Sequence, residues 1–152
     1  MTRHFAHLAD LAAMVGQPLA DSEWIVVDQH RIDAFAEATS DHQWIHVDAA
    51  RAATGPFGVT IAHGFLTLSL LPHLLHEAFA IDDVRMGLNY GLNRVRFPAP
   101  VPVGSRLRAR FKLLAFEPLA DGAAQLMLEA SVESEGNAKP VCVAEMVTRQ
   151  FV

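Results

Sequence analysis

The chain has 152 residues, enough for one domain with a buried core. Its formal net charge of −5 supplies no positive field to attract nucleic acid, and its single cysteine, Cys142, excludes an internal disulfide and a cysteine-rich zinc site. The hydrophobic fraction of 51% is slightly high for a small soluble protein and implies a broad apolar tunnel or a large subunit interface.

Residues 1–20 read as a short helix closed by Gly16 and Pro18, a helical extension ahead of the main domain. Asp10 interrupts its apolar run and no basic segment precedes it, so it does not read as a signal peptide. Glu23 to Asp28 reads as a strand, and Asp28 is placed to cap a helix over 29–39, where Ile32, Phe35 and Ala36 fall at helical spacing. A loop over 40–46 follows, then a short helix over 47–53 and a Gly/Pro loop over 54–59. Residues 63–80 read as the main apolar helix, which Pro72 kinks or shortens.

Residues 52–76 carry no Asp, Glu, Lys or Arg, which raises the possibility of a membrane span. Gly55, Pro56, Gly58, Gly64, Pro72 and three histidines interrupt the run, so it reads as a buried segment of a soluble protein. A reducing cytoplasm is the default location for a chain with one cysteine. After Val84 the pattern changes to four strands over 86–97, 105–117, 123–133 and 140–151, joined by turn signals at Val103-Gly104, Asp121-Gly122 and Glu135-Gly136-Asn137. The order predicts a single α+β domain over 1–152, one long helix packed on a curved antiparallel sheet, an arrangement called a hot dog.

The chemistry concentrates in Ser40-Asp41-His42-Gln43-Trp44-Ile45-His46 and Ile61-Ala62-His63-Gly64-Phe65-Leu66-Thr67-Leu68-Ser69. If Asp41 and His46 meet in a pocket, the carboxylate orients the imidazole or a water, and the pair moves protons near neutral pH. Spacing alone leaves open a turn aspartate and a partly buried histidine. Gly64 heads the apolar helix, where unsatisfied N–H groups face an approaching carbonyl, or else serves a tight turn. Ser69 is by default a helix serine bonded to its own backbone.

Other chemistries are weaker. His42 and His46, with Asp41 and His63, could ligate a metal, but no H-E-x-x-H context supports it and no metal is expected. A serine hydrolase lacks its G-x-S-x-G elbow. Cys142 sits in a strand pattern and reads as buried. Half of the twelve basic residues fall between Arg94 and Lys112, and Arg106, Arg108, Arg110 and Lys112 share one strand face, either solvated or holding the phosphates of a nucleotide-like handle.

The stretch Asp41 to His46 resembles the hydratase motif of the MaoC-like dehydratases, the R-specific enoyl-CoA hydratases. The stretch His63-Gly64…Ser69 resembles the second motif of that family, and Asn89 to Val101 resembles the following strand of the branch similar to nodulation protein N. The likeness spans roughly residues 20–150. It implies a hot-dog fold, usually dimeric, acting on trans-2-enoyl-CoA to give (3R)-3-hydroxyacyl-CoA in fatty-acid metabolism. It implies Asp41 and His46 as the catalytic pair, Gly64 polarising the thioester carbonyl, and Ser69 supporting the pocket. Gln43, His63 and Asn93 join the expected substrate contacts. The acyl-CoA is substrate and no cofactor is expected; partners are a second copy of the chain and the thioester, with neither nucleic acid nor membrane. Ser40 stands where a glycine is common, Gln43 where asparagine is usual, and Trp44 where proline is usual. The alternatives are a dehydratase of acyl-carrier-protein thioesters, a hot-dog thioesterase, and a non-catalytic acyl-thioester binding subunit.

Overall fold

The computed structural model of the chain describes residues 1–152. Its first turn differs from the expected helical extension. Strand β1 (Arg3–Phe5) is followed by a 3-10 turn over Leu8–Met14 and strand β2 (Pro18–Asp21). Leu8 and Leu11 are fully buried in the common core, so residues 1–20 are part of the body of the fold and not an extension of it. The Asp83 carboxylate caps the 3-10 turn, accepting from the Leu8 N–H at 2.9 Å.

Strand β3 (Ile25–Val27) leads into helix α1 (Gln29–Thr39), whose N-terminus is capped as its sequence requires: the Asp28 carboxylate accepts from the Arg31 N–H at 2.9 Å. Ile32 and Ala36 are its buried face. Ser40 ends the helix at φ 60°, ψ 22°, in the left-handed region, which explains why glycine suits this position. Two short helices follow, α2 (Trp44–Val47) and α3 (Ala49–Ala52). Trp44 is the first residue of α2, a position where proline also fits, so the tryptophan preserves the helix start.

The expected single helix over 63–80 is two, α4 (Gly64–Ser69) and α5 (Leu71–Ala78). Pro72 has no N–H to donate to Leu68, and the ladder is interrupted at Leu70. The Leu74 N–H still reaches the Leu70 carbonyl at 3.0 Å, so the two pieces share one apolar stripe of Leu66, Leu70, Leu71, Leu74 and Ala78. The helix stops at Ala78 because Phe79–Ile81 forms strand β4, paired in parallel with β1.

Four long strands complete the chain: β5 (Met86–Arg96), β6 (Ser105–Pro118), β7 (Ala124–Ser134) and β8 (Cys142–Phe151). They form an antiparallel sheet in the order β2-β6-β7-β8-β5, with β3 also on β6. Alternation puts Leu107, Ala109, Phe111 and Leu113 of β6, and Leu126, Leu128, Ala130 and Val132 of β7, against the α4–α5 stripe. Each large aliphatic side chain buried there contributes about 1.5–3 kcal/mol. The opposite face carries Arg106, Arg108 and Arg110, which bond to Glu135 and Glu133, and Arg106 and Arg108 also lie over the Trp24 ring. Those cations are occupied by carboxylates on a solvated face. Strand β5 is an edge, and every residue of it except Val95 is exposed.

No helix is long and apolar enough to cross a membrane.

Candidate active site

The site forms where the loop after α1 meets the segment leading into α4. Residues 60–62 are extended and fastened on both sides: the Ile61 N–H donates to the Ile45 carbonyl at 3.0 Å and the Ala62 N–H to the Val101 carbonyl at 2.8 Å. Ile45 lies one residue before His46, so this bond sets α2 directly beside His63. Donor atoms of Asp41, His46 and His63 then lie within 4.8 Å of one another.

His46 is 6% exposed. Its Nδ1–H donates to the Ile61 carbonyl at 2.6 Å. That bond fixes the tautomer and leaves Nε2 with a free lone pair, as a general base requires. Burial is the main influence holding its pKa below the ordinary 6.5; the Ile61 hydrogen bond pulls it up, His63 lowers it and Asp41 raises it. The neutral imidazole is therefore the favoured form near pH 7. The helix beneath is held in turn, since Gln29 Nε2 donates to the His46 carbonyl at 2.8 Å and Thr60 Oγ1 donates to Gln29 Oε1 at 2.5 Å.

Asp41 is the accessible member of the group, with 51% of its side chain exposed. Its Oδ1 accepts from the Gln43 N–H at 3.4 Å, and its Oδ2 stands 4.0 Å from His63 Nε2. His63 is 2% exposed. Its Nε2–H donates to the Asp41 main-chain carbonyl at 3.0 Å, its ring stacks on His46, and Phe35 packs on it at 5.0 Å between centroids.

Gly64 is the first residue of α4, where helix geometry gives its N–H no intrahelical acceptor. A Cβ there would lie 3.0–3.2 Å from three carbons of the Phe97 ring, so only glycine admits that ring at this distance. Ser69 lies at the other end of α4 and its Oγ donates to the Phe65 carbonyl at 2.6 Å, not to the Asp41 loop. Gln43 is exposed as the residue preceding α2. Asn93 lies at a register shift between β5 and β8, with its Nδ2 directed at Met127 Sδ, 3.7 Å away. The structure thus brings Asp41, His46, His63 and Gly64 together and sets Ser69 and Asn93 apart from them.

The three donor groups nearest one another are poorly directed for a cation. The imidazoles of His46 and His63 are nearly parallel, so their in-plane lone pairs do not converge, and the His63 Nε2–H is engaged with Asp41. His42 turns outward to Glu37, 3.5 Å away. A water held between Asp41 and His46 Nε2 is the chemistry this arrangement suits best.

Sequence reading missed the Ile61 carbonyl, the Gln29–Thr60 brace, the Phe35 contact and the Phe97 ring. A main-chain acceptor has no residue signature. Gln29 gave no signal of its own, being read only as the start of a capped helix.

Residues 10–134 match the family described as MaoC like domain. The 3-hydroxyacyl-thioester dehydratase Z of Mycobacterium tuberculosis is 54% identical over 147 residues, covering 97% of this chain and 97% of that protein. Nodulation protein N of Rhizobium leguminosarum bv. viciae is 51% identical over 149 residues, covering 95% and 91%. The unliganded R-hydratase PhaJ1 from Pseudomonas aeruginosa superposes with a TM-score of 0.71 at 26% identity, covering 90% of this chain and 81% of that one. With a hot-dog architecture, a family match over most of its length and a relative 54% identical across nearly the whole chain, the chain belongs to the MaoC-like dehydratase family.

Proposed function

We propose that the protein hydrates trans-2-enoyl-CoA to (3R)-3-hydroxyacyl-CoA, and runs the reverse dehydration, in fatty-acid metabolism. The observation that carries this reading is the buried His46 imidazole, its Nδ1–H on the Ile61 carbonyl, grouped with Asp41 and His63 so that one donor atom of each lies within 4.8 Å of the others. The likeness to a 3-hydroxyacyl-thioester dehydratase and to an R-hydratase supports the same chemistry.

Asp41 orients a water against His46 Nε2. The imidazole takes the proton as the oxygen attacks C3, and negative charge builds on the thioester oxygen. The Gly64 N–H meets that charge, and one such donor contributes roughly 10²–10³ in rate. The imidazolium then returns a proton to C2 on the same face. General acid–base help of this kind is worth roughly 10²–10⁴. The thioester itself acidifies C2, so the reaction calls for no metal or redox cofactor.

Two cavities beside the helix offer apolar space, and neither is lined by Asp41, His46, His63 or Gly64. A cavity of about 320 Å³ lies between the α4–α5 junction and β5, lined in part by Leu68, Ser69, Pro72, Leu92 and Met146. It shares Pro72 and Asn89 with a second of about 410 Å³ that continues past Phe79, Val84 and Leu88. Asn93 and Gln43 would contribute at the rim of the thioester path. Phe57 and Phe65 are exposed in the single chain. A homodimer built on the β5 edge would cover Met86, Leu88, Tyr90 and Leu92, all exposed. A cytoplasmic location completes the reading; the one thiol, Cys142, is buried and unpaired.

Purified protein given crotonyl-CoA should bleach the enoyl-thioester absorbance and release no free thiol. Faster turnover on acyl-carrier-protein thioesters would reassign the handle. Thiol release without loss of the double bond would overturn the reading in favour of a thioesterase.

A further inference from the structure

His63 makes one contact to each of Asp41 and His46 and a third to Phe35. Its Nε2–H holds the main-chain carbonyl of Asp41 at 3.0 Å, which fixes the residue whose carboxylate orients the water. Its ring lies against the His46 imidazole, centroids 3.8 Å apart and planes inclined by 24°. The other side of the site is closed by Phe35, 5.0 Å from the His63 ring centre. The ring is 2% exposed, so it offers a substrate almost no surface.

The hydrogen bonding of His63 is also incomplete. With Nε2–H donated, Nδ1 is an acceptor, and this buried atom has no partner. Buried polar atoms without partners are uncommon and costly. A hydrophobic ring would fill the same space between Phe35 and His46 without that cost, but it could not hold the Asp41 carbonyl. Glutamine could supply an N–H to that carbonyl but gives His46 no flat face. Histidine meets both demands at once, and it precedes Gly64 directly, so the chain carrying the carbonyl-polarising N–H is the chain that carries the brace.

The geometry points to His63 as a positioning residue that sets the distance and plane of Asp41 against His46, through its Nε2–H on one and its ring face on the other. The inference rests on the hydratase reading for its kinetic consequences, and for the state of His46 on the ring contact together with the lowering influence of His63 on that imidazole. The charged and titratable groups facing His46 are Asp41, from the loop after α1, and His63 itself; its other polar contact is the Ile61 carbonyl.

The test uses His63→Phe, which keeps a ring and loses the donor, and His63→Gln, which keeps a donor and loses the ring. On crotonyl-CoA each should lose tenfold to hundredfold in kcat while KM stays within about twofold, and the acid limb of kcat/KM should move to higher pH. Nitrogen-15 NMR of the His46 imidazole should show its titration midpoint rising in both variants, a readout that stands even if wild-type protein fails to hydrate any enoyl-CoA. Inactive wild-type protein with that NMR shift would sink the hydratase reading and keep the positioning role. Unchanged kcat with an unmoved His46 midpoint in a folded variant would overturn the inference, as would a raised KM at constant kcat, which would mark His63 as a substrate contact. If His63→Phe does not fold, His63→Gln decides the same question.

Discussion

The imidazole of His63 lies almost flat against that of His46, 3.8 Å between centroids, and each ring donates an N–H to a main-chain carbonyl, His63 to that of Asp41 and His46 to that of Ile61. Two histidines from separate segments are thereby fixed in tautomer and orientation by backbone that the sheet and helices hold rigid. The candidate site is assembled by long-range packing, although its residues come from two short stretches.

The pH dependence follows from the burial of His46. Its pKa is lowered below 6.5 chiefly by desolvation. A general base with a depressed pKa keeps its free lone pair into mildly acidic solution, so the acid limb of kcat/KM should have its midpoint below pH 6.5. Stability moves the same way. The unfolded chain binds this proton at higher pH than the folded one, so His46 contributes stability above about pH 6.5 that is lost as the pH falls through the folded pKa. A midpoint at or above 6.5 in the rate profile would contradict the burial argument.

Ser40 pays a backbone strain that glycine would relieve. At φ 60° a side chain with a Cβ is disfavoured, and the difference should make Ser40→Gly more stable by about 1 kcal/mol. Denaturant titration measures it. Turnover should be unchanged or improved, because the left-handed geometry before Asp41 is kept. A loss of stability would mean that the serine side chain contributes more than the strain costs.

Gly64→Ala tests the close approach at the start of α4. The new Cβ would press on three Phe97 ring carbons at 3.0–3.2 Å. The Phe97 ring, or the start of α4, must give by a few tenths of an ångström. The expected result is a fall in kcat/KM of threefold or more, which Gly64→Ala combined with Phe97→Ala should partly restore. No fall in the single variant would show that the ring gives way freely.

Strand β5 is the surface to alter for assembly. Leu88 and Leu92 are 48% and 45% exposed on an unpaired edge. Leu88→Lys with Leu92→Lys should convert a dimer to a monomer in light scattering, since burying two unpaired lysines is costly. A dimer that survives the double change is built elsewhere.

Much of this was legible in local sequence. The Asp28 cap and the Ile32–Phe35–Ala36 spacing give α1 its bounds, and the turn glycines separate β5 to β8, because caps, periodicity and turns act within a few residues. Asp41, His46 and Gly64 were marked by their resemblance to the motifs of the family, since spacing alone left a turn aspartate, a partly buried histidine and a turn glycine open. The rest depends on partners far along the chain. Residues 18–21 become a strand because β6 lies beside them, with Ala20 opposite Phe111, and no local pattern encodes that pairing. Phe79 leaves the helix for β4 because β1 offers it a neighbour. The His46–His63 stack joins residues seventeen positions apart through the Ile61–Ile45 backbone bond, which side-chain identity does not reveal. Arg106 to Lys112 could be read as one face, but the acids that neutralise it come from β7 and its turn.

We propose that Asp41 and His46 act as one proton-transfer unit on an enoyl thioester. Steady-state hydration of crotonyl-CoA by wild-type protein, Asp41→Asn and His46→Ala, each checked for native circular dichroism, tests this. Turnover by the wild type and a loss of about 10²–10⁴ in kcat for either variant are expected. Near-normal kcat in both folded variants would contradict it.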